Sequence, residues 1–190
     1  MKTVFFDVDT QLDFLSPAGA LYVSGAEDIV TALRNLTRFA ASRQFQIIST
    51  TDAHTEDDPE FKIWRPHCIA GTLGQHKEAA TQLPGRQLLD NRVDISAPQI
   101  IVQKQKLDAF SNPNLRSLLH GMKADRYFLY GVVTELCVRC AALGLLETGA
   151  RVVLVTDAIK SLSNADEITF VQDFHARGGQ LTTVAAILSA

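Results

Sequence analysis

Short apolar runs rich in β-branched and aromatic residues recur along this chain, and segments of helical period lie between most of them. The runs fall at 3–8, 45–50, 100–103, 127–131, 152–156 and 181–185, and the helical segments at 26–42, 112–121, 134–148 and 164–177, the last stopped by Gly178-Gly179. A strand that is apolar at nearly every position suits burial on both faces, the environment of a parallel sheet covered by helices. The alternation therefore predicts an α/β fold: a three-layer αβα sandwich around a six-stranded, mainly parallel sheet with right-handed crossovers. In such sheets, sites form beyond the carboxyl ends of the strands.

The stretch 52–90 breaks the rhythm, being long, polar and punctuated by Pro59, Pro66, Pro84, Gly71, Gly74 and Gly85. A long irregular loop in a compact domain is often functional. At 190 residues with 46% hydrophobic side chains the chain suits one domain over 1–190 with a substantial core. A net charge of −3 and a pI near 5.9 offer no basic field for nucleic acid or anionic lipid, so a small molecule is the expected partner. No apolar stretch approaches the roughly 20 residues of a spanning helix, and Met1-Lys2-Thr3 runs straight into a strand, so a cytoplasmic protein is expected. Cys68, Cys137 and Cys140 are too few and too unevenly spaced for a disulfide framework and read as thiols.

Three predicted strands deliver polar groups to one edge of the sheet. The first leads to Asp9, the third to Lys104, and the fourth, through Val132-Val133-Thr134-Glu135, to Cys137 in the first turn of a helix with Thr134 as N-cap. A helix start lowers a thiol's pKa and offers free N–H groups to an oxyanion. Thiolate, carboxylate and ammonium together can cleave an amide through an acyl-enzyme. Singly, each of these residues is ordinary, and a cysteine is often just a small core side chain.

Together they carry a resemblance. Asp9-Thr10-Gln11-Leu12-Asp13-Phe14, then Lys104 six residues before Phe110, then Gly131-Val132-Val133-Thr134-Glu135-Leu136-Cys137-Val138 resemble the isochorismatase-like cysteine hydrolases over nearly the whole chain. The resemblance implies a catalytic triad of Asp9, Lys104 and Cys137, an oxyanion hole from the amides of Val133 and Cys137, and a cis peptide at Val132-Val133. The loop resembles that of nicotinamidases, with Asp52, His54, Glu60 and His67 in register as ligands of one divalent metal ion (Zn, Mn or Fe) that holds a pyridine nitrogen. Phe14 and Trp64 match aromatic pocket positions of that group, and relatives are often homo-oligomers. The implied activity is hydrolysis of a small carboxamide, with nicotinamide foremost. One departure stands out: Asp108 occupies a position near the expected pocket where many relatives carry a small hydroxyl residue.

Two other readings compete. Asp7-Val8-Asp9-Thr10 resembles the first motif of haloacid-dehalogenase-type phosphatases, which would make Asp7 the nucleophile, but Asp7 lies deep in the apolar run, and where that chemistry needs a second strand-end acid pair for Mg²⁺, Asp157 after 152–156 offers only one acid. Asp7 is instead expected to be a hydrogen-bonded structural acid. Cys137-Val138-Arg139-Cys140 is a C-x-x-C as in thioredoxin-like proteins, yet it follows the fourth strand rather than an early one, so Cys140 is expected in the core.

Overall fold

The structure, a computed structural model, describes residues 1–90 and 94–190. Strand β1 (Thr3–Val8) leads into a one-turn helix α1 (Leu12–Leu15), and a 3-10 turn at Ala26–Ile29 opens helix α2 (Val30–Ser42). Strand β2 (Gln46–Asp52) is followed by the long irregular segment, which ends in a two-residue strand β3 (Gln87–Leu88). Then come β4 (Gln99–Lys104), α3 (Leu115–Met122), β5 (Arg126–Val132), a π-helical turn (Thr134–Val138) continuing into α4 (Arg139–Leu146), β6 (Arg151–Lys160), α5 (Asn164–Ala176), β7 (Gln180–Thr182) and α6 (Val184–Leu188).

The seven strands form one sheet in the order β3-β4-β2-β1-β5-β6-β7, and every pair is parallel. This is the expected α/β sandwich with one strand more than the sequence pattern predicts. Gln87-Leu88 has only two residues, both exposed, and is too short to show a period. The sixth predicted run is also shorter than expected: it is strand only to Thr182, because the Thr183 hydroxyl accepts from the Ala186 amide and caps α6.

All six residues of β1 are buried, with Val4, Phe6 and Val8 facing one core and Phe5 the other. The first core is closed by α3, α4 and α5 through Leu115, Leu118, Ala141, Leu145, Phe170 and Phe174, and the second by α2 and α6 through Leu33, Leu36, Val184 and Ile187. Each such side chain stabilises the fold by about 1.5–3 kcal/mol when fully buried. The sheet closes tightly beside β1. Gly131 has φ +120°, and a Cβ there would lie 2.1 Å from the Val8 carbonyl oxygen, so only glycine lets β5 pass this close.

Asp7 is fully buried, as a structural acid. It accepts hydrogen bonds from the Thr10 hydroxyl (3.0 Å), the Ser49 hydroxyl (3.2 Å) and the Lys77 ammonium, itself only 8% exposed. Lys77 also donates to Thr10, and Gln11 and Lys77 form an isolated antiparallel bridge. The pair thus fastens the returning end of the long segment to the end of β1. No helix among the described residues is long and apolar enough to cross a membrane.

Candidate active site

The strand order turns outward in both directions from β1, so the carboxyl ends of β1, β2, β4 and β5 meet at one crevice. Asp9 follows β1 in a left-handed conformation, φ 50°. Thr50 of the neighbouring strand holds it there: the Asp9 amide donates to Thr50, and the Thr50 hydroxyl donates to Asp9 Oδ1 at 2.6 Å. That leaves Asp9 Oδ2 to pair with Lys104 Nζ at 2.9 Å. Lys104 Nζ also donates to Asp52 Oδ1 (2.5 Å), its register partner across the sheet, and lies 3.6 Å from Cys137 Sγ. The sequence-predicted acid, amine and thiol are therefore brought together, and all are buried.

Burial decides the charge states. It would by itself lower the Lys104 pKa, but Asp52 and Asp9 outweigh it and hold the ammonium well above its ordinary value. The Cys137 thiol is raised well above the usual range, first by burial and then by Asp9 and Asp52, with Lys104 opposing. This corrects the expectation that the helix start lowers it. A hydrogen bond to Asp9 adds to the rise. The N-cap expectation also changes: Val133 occupies the cap position, the Val138 amide closes a π turn onto the Val133 carbonyl (3.1 Å), and the Thr134 hydroxyl turns to Glu167. The Val132-Val133 peptide is cis.

Beside Lys104, a second cluster forms. Ligand atoms of Asp52, His54 and His67 lie within 4.8 Å of one another. His54 Nε2 is buried with no hydrogen-bond partner and lies 3.9 Å from Asp52 Oδ2, while His67 Nε2 lies 4.0 Å from the same oxygen. The opposite ring nitrogens are both occupied, His54 Nδ1 by Asp58 Oδ2 (3.0 Å) and His67 Nδ1 by the Arg65 carbonyl (2.7 Å). Such outer partners fix which nitrogen of a metal-binding histidine carries its lone pair. The orphaned Nε2 and the N,N,O donor set fit a divalent transition metal. Burial lowers the His67 pKa and so keeps that ring neutral, as a ligand must be. Glu60 stands apart from this trio, half-buried on the cavity wall.

The cavity above Cys137 is mostly apolar. Phe14 and Trp64 line it as expected, with Leu21, Val23, Leu107, Val132, Leu136 and Leu162, while Asp52, Glu60 and His67 form its polar end. Asp108 does not enter: it is exposed and caps the turn at Ala109–Ser111 by accepting from the Phe110 amide, and Leu107 faces the cavity instead. Cys140 is half-buried, not in the core as expected.

Several supporting residues escaped the sequence reading. Asp58 stands four residues after His54 and could have been found as its partner on that spacing. Gln11 clasps the Asp52 main chain, accepting from its amide (2.6 Å) and donating to its carbonyl (2.9 Å). Asp13 accepts from the Cys68 amide at 2.7 Å and so anchors the residue after His67. Glu135 accepts from the amides of Leu162 and Ser163, setting Leu162 at the cavity mouth.

Comparison with known proteins identifies the family. Residues 3–186 match the family model described as Isochorismatase domain. The nicotinamidase of Saccharomyces cerevisiae is 22% identical, over 88% of this chain and 92% of its own. Among solved structures, the pyrazinamidase of Pyrococcus horikoshii, in complex with zinc, superposes with a TM-score of 0.84 at 27% identity, covering 96% of this chain and 99% of that one. The PnC1 protein of L. infantum, in complex with nicotinate, has a TM-score of 0.81 at 25% identity, covering 97% and 94%.

Proposed function

Because this chain belongs to the isochorismatase family, we propose that Cys137 hydrolyses a small, uncharged carboxamide through an acyl-enzyme, nicotinamide being the best fit. The chain is a hydrolase of amide C–N bonds. The observation that carries the finer reading is the meeting of Asp9, Lys104 and Cys137 at the floor of an apolar cavity whose polar end is the Asp52, His54 and His67 trio.

In this mechanism Cys137 Sγ attacks the amide carbon while Asp9 Oδ2 takes the thiol proton. The carbonyl oxygen gains charge beside the amides of Val133 and Cys137. As the C–N bond breaks, Asp9 passes the proton to the nitrogen and ammonia leaves. Water then adds to the thioester, giving a proton to Asp9; the C–S bond breaks and the proton returns to sulfur, freeing the acid. Lys104 pairs with Asp9 Oδ2, which fixes the carboxylate's position, and with Asp52. Asp52, His54 and His67 would hold a divalent metal ion, which when bound would supply a Lewis-acid position for a ring nitrogen. Phe14, Trp64 and Leu107 hold a flat apolar ring against that end and exclude water.

The cavity lining also bears on the substrate's charge. Its nearest cation, Lys104, is already shared by Asp9 and Asp52, and Glu60 adds a further acid to the wall. Among the described residues no lysine or arginine lines the cavity, so a carboxylate-bearing amide would find no side-chain cation to pair with there. Ammonia release from a panel of amides, nicotinamide first and a carboxylate-bearing amide for contrast, tests the reading, with and without a chelator. Turnover of nicotinamide that exceeds the anionic amide and falls with chelator is expected. Preference for the anionic amide would overturn it.

A further inference from the structure

The first residues of β5 and β6, Arg126 and Arg151, are register partners, so two guanidiniums stand side by side on one face of the sheet. Like charges directly opposite each other on neighbouring strands are destabilising. A third guanidinium, Arg43 from the end of α2, lines the same groove, and among the described residues no acidic side chain lines it. One carboxylate oxygen of Asp125, the residue before Arg126, accepts from the Lys2 amide.

Within the protein these groups find few hydrogen-bond partners. Arg126 donates through Nη2 to the Thr3 hydroxyl (3.0 Å), but its Nε is buried with no partner. Arg151 finds the Met1 sulfur, a poor acceptor, and Arg43 reaches the Ala190 main-chain oxygen only at 3.5 Å. Burial and the Arg151 charge both lower the Arg126 pKa. Yet the side chains are held in place: Arg126 lies 4.4 Å above the Phe128 ring and Arg43 lies 5.1 Å above Phe39. Guanidiniums beside an apolar floor of Phe45, Leu181 and Ile187 suit an anion that carries an apolar body.

We propose that this groove binds a phosphate monoester, its phosphoryl oxygens between Arg126 and Arg151 and its apolar body on Phe45, Leu181 and Ile187. Three guanidiniums favour a dianion over a monocarboxylate, and the planar forks suit its oxygens. The site lies at the amino ends of the strands, roughly 20 Å along the sheet from Cys137 by strand rise, and is separate from the catalytic crevice.

The test uses calorimetric titration of the full chain with phenyl phosphate, inorganic phosphate and benzoate at constant ionic strength. Saturable binding in the order phenyl phosphate, inorganic phosphate, benzoate is expected, with Arg151→Gln weakening phenyl phosphate at least tenfold. Arg126→Lys keeps the charge but loses the fork, and should weaken it also. Melting supplies a second readout that does not depend on affinity. Without ligand, Arg151→Gln should melt above the wild type, because repulsion is relieved, and saturating phenyl phosphate should reverse that order. Absence of saturable phosphate binding, affinity unchanged in Arg151→Gln, or benzoate binding as tightly as phenyl phosphate would overturn the proposal.

Discussion

Replacing Lys77 by methionine removes the cation that faces a fully buried acid. In the folded protein Asp7 would retain the Thr10 and Ser49 hydroxyls and lose its counter-charge. Breaking a buried pair in this way costs about 3–5 kcal/mol. Against a total stability of about 5–15 kcal/mol, that is a large fraction. At about 2–4 °C per kcal/mol for a chain of this size, the melting midpoint should fall by roughly 6–20 °C. The burial that makes the single change costly makes the double change mild. Asp7→Asn with Lys77→Met leaves a neutral amide beside a thioether, so the double variant should be more stable than Lys77→Met alone. Urea titrations of the wild type, both single variants and the double variant yield the coupling directly. Single costs below about 1 kcal/mol that simply add would refute the view that the pair fastens the loop to β1.

Three further outcomes concern the site. Cys137→Ala should abolish amide turnover while leaving the melting midpoint within about 2 °C of wild type, since a buried thiol of this size contributes little packing; Cys140→Ser, by contrast, should keep most activity in an ammonia-release assay. His54→Ala should lower metal content measured by elemental analysis and raise KM for a pyridine carboxamide, while Cys137 is still alkylated by a small electrophile, because Asp9 and Lys104 control that thiol. Burial, with the Asp9 charge adding and Lys104 opposing, raises the Asp52 pKa to about 6 in the metal-free protein. A carboxyl must lose its proton to bind metal, so apparent metal affinity should be level above that value and fall by about tenfold per pH unit below it, as read by titration with a competing chelator; affinity flat down to pH 4 would exclude Asp52 as a ligand.

The layers of the fold were legible wherever an element was long enough to show a period. β1, β2, β4, β5 and β6 follow from apolar runs, and because their ends carry Asp9, Asp52, Lys104 and, through the π turn, Cys137, much of the site follows from the same pattern. What escaped had no local signal. β3 has two residues, and the partnership of Asp7 with Lys77 spans 70 residues with nothing in the intervening composition to announce it. The direction of the Cys137 pKa shift was misjudged because a helix start is visible in sequence, whereas the burial that raises it is a property of packing. The place of Asp108 near Lys104 left both the pocket and solvent open to it, and only the short turn, which directs it outward with Leu107 facing the cavity, decides between them.

The cavity wall is assembled from segments scattered along the chain: Phe14 after β1, Asp52 and Trp64 in and beyond β2, Leu107 after β4, Cys137 after β5 and Leu162 after β6. No two of these walls come from one local motif, so no early hairpin or helix pair encloses any part of the substrate. Contacts between segments this far apart form only after the entropy of closing long loops has been met. Recovery of amide hydrolysis during refolding therefore marks the moment the sheet is complete, and it should lag every spectroscopic sign of helix formation.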